Sequence, residues 1–152
     1  MDKAKVIEKL NDILRHEWTG VAQYAQAGFV VAGLWREVYS KMFFDSATES
    51  FGHAKQIGDK IVALNGVPSI ERNQVKQSDN LSELLNHALE FESKAVKLYQ
   101  EALALAEDNR PLVVMLEDIL LQEQDGVEHI EKLLREQKGA AALGTTAAAK
   151  AG

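Results

Sequence analysis

Apolar residues recur at spacings of three and four from Asp2 to Ala32, without a proline, and Gly33 closes the run, which predicts a long first helix. A second run of the same period covers Glu37 to Leu64 and stops at Asn65-Gly66-Val67-Pro68, a strong helix-ending sequence, so it should return antiparallel to the first. Ser69 to Asp79 is polar and aperiodic. Asn80 and Glu83 then have capping-box spacing for a third helix reaching Glu107. Asp108-Asn109-Arg110-Pro111 turns the chain into a fourth helix that runs to about Gln137 and ends near Gly139, with proline in its first turn. No stretch alternates with the period of two that a strand requires. The predicted class is all-α: a four-helix bundle with one long crossover between helices two and three. Residues 1–138 should form the bundle, and 139–152, mostly alanine, glycine and threonine, a flexible tail or a short extra helix.

The pattern repeats internally. At an offset of 75, Leu10 aligns with Leu85, Leu14 with Leu89, Glu17 with Glu92, Val21 with Val96, Tyr24 with Tyr99 and Val31 with Ala106. These positions form the inward seam of each helix, so Glu17 and Glu92 fall among core residues, each seven before a tyrosine. A buried carboxylate is costly unless something compensates it, and two at equivalent positions imply a shared compensator. The tyrosine hydroxyls are expected to hydrogen-bond these carboxylates.

Helix two carries Trp35, Val38, Met42, Ser46, Glu49, His53, Ile57 and Leu64 on one stripe. Glu49 and His53 sit one turn apart within it, a spacing that can grip one ion. Helix four offers Asp125 and His129 at the corresponding positions, offset by 76. Yet a helical wheel through Leu112, Leu116, Ile119, Ile130 and Leu134 puts Glu123 near the centre of the apolar face and His129 at its edge. Either Glu123 is the inward acid, or a wide turn near Gly126 resets the phase and turns His129 inward. His16 and His87 lack an inward partner and are read as surface residues.

Composition narrows the chemistry. The chain has no cysteine, four histidines, and 23 acidic against 17 basic residues, a net charge of −6. Thiolate metal sites and cysteine nucleophiles are excluded, leaving nitrogen and oxygen ligands. The acidic balance argues against nucleic acid or an anionic membrane as partner. The charged N-terminus has no apolar run of signal or membrane-span length, and the expected location is cytoplasmic. A chain of this length buries enough surface to fold without a structural metal, so any metal should serve function.

Carboxylates on two helices and acid–histidine pairs on the other two suit a dinuclear centre of iron, with manganese or zinc as alternative occupants. At these residues the chain resembles the ferritin superfamily, most closely bacterioferritin-like proteins. The likeness spans about Val6 to Leu134 and rests on His16-Glu17-Trp18-Thr19 with Gln23-Tyr24, Glu49-Ser50-Phe51-Gly52-His53-Ala54-Lys55, Val62-Ala63-Leu64-Asn65-Gly66-Val67-Pro68, Leu89-Glu90-Phe91-Glu92 and Glu128-His129-Ile130-Glu131. The resemblance implies a di-iron ferroxidase centre using ferrous ions with oxygen or peroxide, in a homo-oligomer that often stores ferric mineral. Glu17, Glu92, His53 and His129 would be terminal and histidine ligands, with Tyr24 beside the centre. The family's usual pair is a glutamate three residues before histidine, whereas Ser50 and Gly126 occupy those places here. Bridging would then fall to Glu49, Asp125 or Glu123. The haem-binding methionine of bacterioferritins aligns with Phe51, so no haem is expected. The sequence thus favours iron oxidation, detoxification and storage. A peroxide-scavenging di-metal protein without storage, or a non-catalytic bundle with a decayed site, would carry the same helices.

Overall fold

The computed structural model describes the backbone of residues 1–150 and the side chains of residues 1–135. Four helices follow one another: α1 Lys3–Val30, α2 Arg36–Ala63, α3 Leu81–Leu105 and α4 Arg110–Lys150. No strand occurs among the described residues. The starts and ends of α1, α2 and α3 fall within two residues of those the sequence predicts, the usual latitude of fraying ends. α4 continues past Gly139, and the expectation of a flexible tail or short extra helix at 139–152 concerns side chains and a terminus outside the described residues.

Local chemistry sets the starts and turns. Asp2 caps α1 by accepting from the Lys5 amide, and Asn109 does the same for α4 through the Leu112 amide. The α1–α2 turn passes through Gly33 at φ +94°, a left-handed conformation that side chains resist. Asn80 caps α3, its Oδ1 accepting from the Glu83 amide at 3.0 Å. The reciprocal half of the capping box is relayed: the Ser78 hydroxyl accepts from the Asn80 amide and donates to the Glu83 carboxylate. Replacing Asn80 by alanine should cost about 1 kcal/mol, read as a melting point lower by roughly 2–4 °C in a chain of this size.

α1 packs on α2 and α3 on α4, and the two hairpins join along α1 and α3. The crossover is strapped down by one face of α1. Asn11 bonds Val67 and Ser69, the Trp18 indole donates to the Ser69 carbonyl, the Thr19 hydroxyl accepts from the Asn73 amide, and Gln23 Oε1 accepts from the Lys76 amide. Polar side chains along α1, with Thr19 and Gln23 themselves buried, thus give the aperiodic segment its course.

The core comes in two apolar blocks. One is built around Leu10, Ile13, Ile57, Ile61, Leu112 and Leu116, the other around Phe43, Leu85, Phe91 and Ile130. On every helix a buried polar residue falls between them: Glu17, His53, Glu92 and Glu123. The bundle therefore carries one polar layer near its middle.

The predicted stripe on α2 needs correcting in its first half. Trp35 and Val38 are 61% and 63% exposed, and the buried face runs instead through Phe43, Ala47, Ser50, Ala54, Ile57 and Ile61. His53 and Ile57 belong to both, so the true face is rotated by about one residue from the apolar count. The reason is a cavity: Met42, Ser46 and Glu49 line an opening beside α4, and of the three Met42 also packs, half-buried, against the second apolar block.

Candidate metal centre

Glu17 and Glu92 are buried in mid-helix, as the repeat predicts, and the two repeat-related tyrosines reach them crosswise. The Tyr99 hydroxyl on α3 donates to Glu17 Oε1 on α1 at 2.8 Å, and the Tyr24 hydroxyl on α1 donates to Glu92 Oε1 on α3. Burial first, then the neighbouring carboxylates, raises both phenols well above their ordinary range, so they are fixed donors.

His53 enters from α2 and Glu123 from α4. His53 Nδ1 lies 2.7 Å from Glu123 Oε1 and 3.6 Å from Glu17 Oε1. Neither approach is aligned as a hydrogen bond, and Glu17 Oε2 also lacks a partner although fully buried. The other ring nitrogen is satisfied, since Nε2–H points to Gln122 Oε1 at 3.0 Å. The Gln122 amide is oriented by its own NH2, which faces the Asp118 carbonyl, so its oxygen is the atom presented to the ring. Nothing in the apolar period singled Gln122 out, because it is exposed and acts only through the imidazole.

The electrostatics are those of a crowded acid cluster. Burial works against a charged His53, but the Glu123 and Glu17 carboxylates outweigh it and push the imidazolium up to about 11. Burial also raises both Glu123 and Glu92, the latter pushed up to about 9. Among the described residues, Glu17, His53 and Glu123 are the group whose ligand atoms all lie within 4.8 Å of one another. Two oxygens and one nitrogen converging with orphaned buried atoms fit one divalent ion.

Glu49, Asp125 and His129 are not in that group. All three are exposed and line a cavity of about 290 Å³ whose inner wall includes Tyr24 and Glu92. Of the alternatives on α4, Glu123 is the one that points inward. The helix is continuous through Gly126, so no wide turn resets its phase and His129 stays outside. Burial raises the Glu49 carboxyl, with Glu92 and Asp125 adding to the effect and His53 opposing it. Although the side chain is exposed, this cavity-rim acid feels the buried charges behind it.

The two departures from the expected glutamate–histidine spacing have steric explanations. A Cβ on Gly126 would lie 3.1 Å from the Glu92 carboxyl carbon, so Glu92 fills the space where a larger residue would stand. Ser50 is buried where α1 comes close at Gly20; a Cβ there would meet Ser50 Oγ at 2.5 Å and the Phe91 ring at 2.4 Å.

His16 must also be reassigned from the surface. It is 3% exposed, stacked on Phe91 with ring centroids 3.9 Å apart, and its Nε2–H donates to the Phe91 carbonyl at 3.0 Å. His87 is half-buried.

Comparison with known proteins agrees with this architecture. The model of the ferritin-like domain family matches residues 7–140. A bacterioferritin from Rhodobacter capsulatus is 30% identical over 136 residues, 84% of this chain and 81% of that protein. Among solved structures, ferritin-like, diiron-carboxylate proteins from Bacillus anthracis are 30% identical with a TM-score of 0.85, covering 88% of this chain and 98% of theirs. A dodecameric thioferritin, the bacterioferritin-related protein of Bacteroides fragilis, shares the fold at 24% identity and a TM-score of 0.87, over 93% and 91% of the two chains.

Proposed function

The chain belongs to the ferritin-like domain family, and from that premise we propose that it binds ferrous iron inside the bundle and oxidises it with oxygen or peroxide. The observation that carries this reading is the buried convergence of Glu17, His53 and Glu123 with two partnerless ligand atoms. Those residues would hold the first ion. Glu92, with Glu49, Asp125 and His129 around the same cavity, would hold or deliver a second, which keeps the dinuclear reading but makes it asymmetric. Iron fits this donor set better than zinc, since carboxylates outnumber imidazoles, and manganese fits as well. Phe51 offers no ligand atom for haem. Homo-oligomerisation, storage and a cytoplasmic setting are part of the same proposal; for the first, the Bacteroides fragilis relative is described as a dodecamer. Among the described residues, no helix is long and apolar enough to cross a membrane.

Bound iron would supply the electrons for reducing oxygen or peroxide. The protein's part is orientation and charge. Gln122 accepts from Nε2–H and leaves Nδ1 directed at the ion site, while Tyr99 and Tyr24 each hold one oxygen of Glu17 and Glu92. In the metal-free chain the His53 imidazolium, and the raised affinity of the buried carboxyls for protons, offset the negative charge that a divalent ion would otherwise balance.

Metal binding at pH 7 should therefore release protons, because His53 and Glu92 both titrate above that pH in the metal-free chain. Affinity should rise with pH by about tenfold per unit for each proton released. Calorimetry in buffers of different ionisation enthalpy counts the protons, and an affinity independent of pH between 6 and 8 contradicts the assignment. The test of function is an anaerobic ferrous titration followed by oxygen. Binding of about two irons per chain and a ferric absorbance band are expected, and no uptake by the metal-free protein would reject the proposal. Iron loading far beyond the sites supports storage; peroxide consumption without such loading supports the scavenging alternative.

A further inference from the structure

The outer face of α2 carries a pattern that the core does not use. Val38, Lys41, Asp45 and Thr48 follow one another at spacings of three, four and three, and after a step of four Gly52, Lys55, Asp59 and Val62 repeat those spacings. This is the seam of a helix that packs lengthwise on another helix. Yet every one of these residues is exposed except Gly52, which is half-buried, and among the described residues no helix of the chain covers them. The two halves of the seam mirror each other. Counted outward from Ser50, Val38 matches Val62, Lys41 matches Asp59, Asp45 matches Lys55 and Thr48 matches Gly52. A helix so patterned is complementary to a copy of itself laid antiparallel, because each charge then meets its opposite and valine meets valine at both ends.

We propose that this face docks a second copy of the chain, α2 against α2, about a two-fold axis level with Ser50. The inference rests on the homo-oligomeric part of the proposed function and names the contact. The Lys41–Asp45 and Lys55–Asp59 pairs that run along each helix would join crosswise into two clusters of four charges. Exposed charges of this kind add little affinity, but they select the register. Slipping the copy by one turn sets Lys41 against the partner's Lys55 or Asp45 against the partner's Asp59, and parallel pairing sets every charge against its like. The centre allows a close approach. A Cβ added at Gly52 would meet nothing within 4 Å, and the Thr48 hydroxyl is already donated to the Phe44 carbonyl. Attraction comes from the apolar flanks. Leu34 and Trp35, 90% and 61% exposed, fall opposite the partner's Asn65–Pro68 stretch, where Val67 is 82% exposed. A groove between α1 and α2, lined by Trp18, Phe51 and Val62 among others, runs beside the seam. From Val38 to Val62 the seam is about 36 Å long, and two helix diameters make it about 20 Å wide. That comes near the roughly 800 Å² per partner of a stable dimer.

The test uses the full chain, which has no cysteine of its own. Val38→Cys and Val62→Cys chains are mixed, allowed to exchange, oxidised and run unreduced on a denaturing gel. The mixture should give a cross-linked dimer in high yield and neither variant alone should, because the proposed axis sets Val38 beside the partner's Val62 and leaves like positions about 36 Å apart. Lys41→Asp should weaken self-association about tenfold by sedimentation. Adding Asp59→Lys should restore it, although the double variant has like charges along each helix. Cross-linking of either variant with itself as readily as in the mixture, Lys41→Asp without effect, or a double variant no better than the single one would each overturn this interface. If the chain nonetheless sediments as an oligomer, the homo-oligomeric reading stands on another face. A chain that sediments as a monomer would overturn both.

Discussion

Replacing Glu123 by glutamine should abolish metal-dependent stabilisation while leaving the metal-free protein at least as stable as the wild type. The two effects have opposite signs because Glu123 has two roles. Without metal it is one of three buried carboxylates crowded around His53, and burial raises its pKa, so folding must bear the cost of keeping it charged. An amide of the same shape removes that cost. With metal, Glu123 is one of three ligands whose donor atoms converge, and an amide oxygen is a much poorer donor for a divalent ion. A ligand at about a thousand times its dissociation constant stabilises the fold by about 4 kcal/mol, and the variant should lose nearly all of this. Thermal scans with and without anaerobic ferrous or zinc ions measure both halves. A metal-induced shift that survives in Glu123→Gln would show that α4 supplies its ligand elsewhere, with Asp125 the alternative.

Acid should destabilise the metal-free protein through His16. Burial, with help from Lys94 and against the opposing bond to the Phe91 carbonyl, lowers its pKa from 6.5 to about 4. Between those values the unfolded chain takes up a proton that the folded chain refuses. Stability should thus be constant with respect to this group above pH 6.5, fall as pH drops through the window, and level off below about 4. A shift of this size corresponds to roughly 3 kcal/mol at 1.36 kcal/mol per unit. Glu92 acts in the opposite direction, because its raised pKa lets the folded chain hold a proton that the unfolded chain releases. The contribution of His16 must therefore be taken as a difference. Urea unfolding of the wild type and of His16→Gln at pH 7.5 and 4.5, with chelator present, should show a distinctly shallower loss in the variant. Parallel losses would mean that His16 titrates normally.

His16 also shows how far the sequence could be read. The 75-residue offset found the buried glutamates and tyrosines because identical residues coincide there. Applied to His16, the same offset points to Phe91, the residue it stacks on, so burial was written in the repeat but hidden by unlike residue types. The helices and the single crossover were legible because their signals are local: period, caps and the Asn65-Gly66 stop. On α4 the period favoured Glu123, and uncertainty arose because a wide turn leaves no reliable mark in sequence. Glu49 was harder. It lies one turn from His53 but on the part of α2 that borders the cavity, and a helix facing a cavity buries its long side chains less than one facing another helix. Gln122 was not legible, since its role depends on which ring nitrogen of a residue on another helix it meets.

The crossed tyrosines have a consequence for descent and design. Each hairpin carries a buried glutamate and a tyrosine, yet the tyrosine of one serves the glutamate of the other. Neither hairpin could satisfy its own carboxylate alone. A polypeptide ending after one hairpin would regain both bonds only by pairing with a copy of itself about a two-fold axis, tyrosine to glutamate and back. The present chain places that self-complementary dimer in a single molecule, where the halves can diverge. Gln122 and Glu123 on one hairpin, facing His53 on the other, are where the two-fold relation between the hairpins breaks.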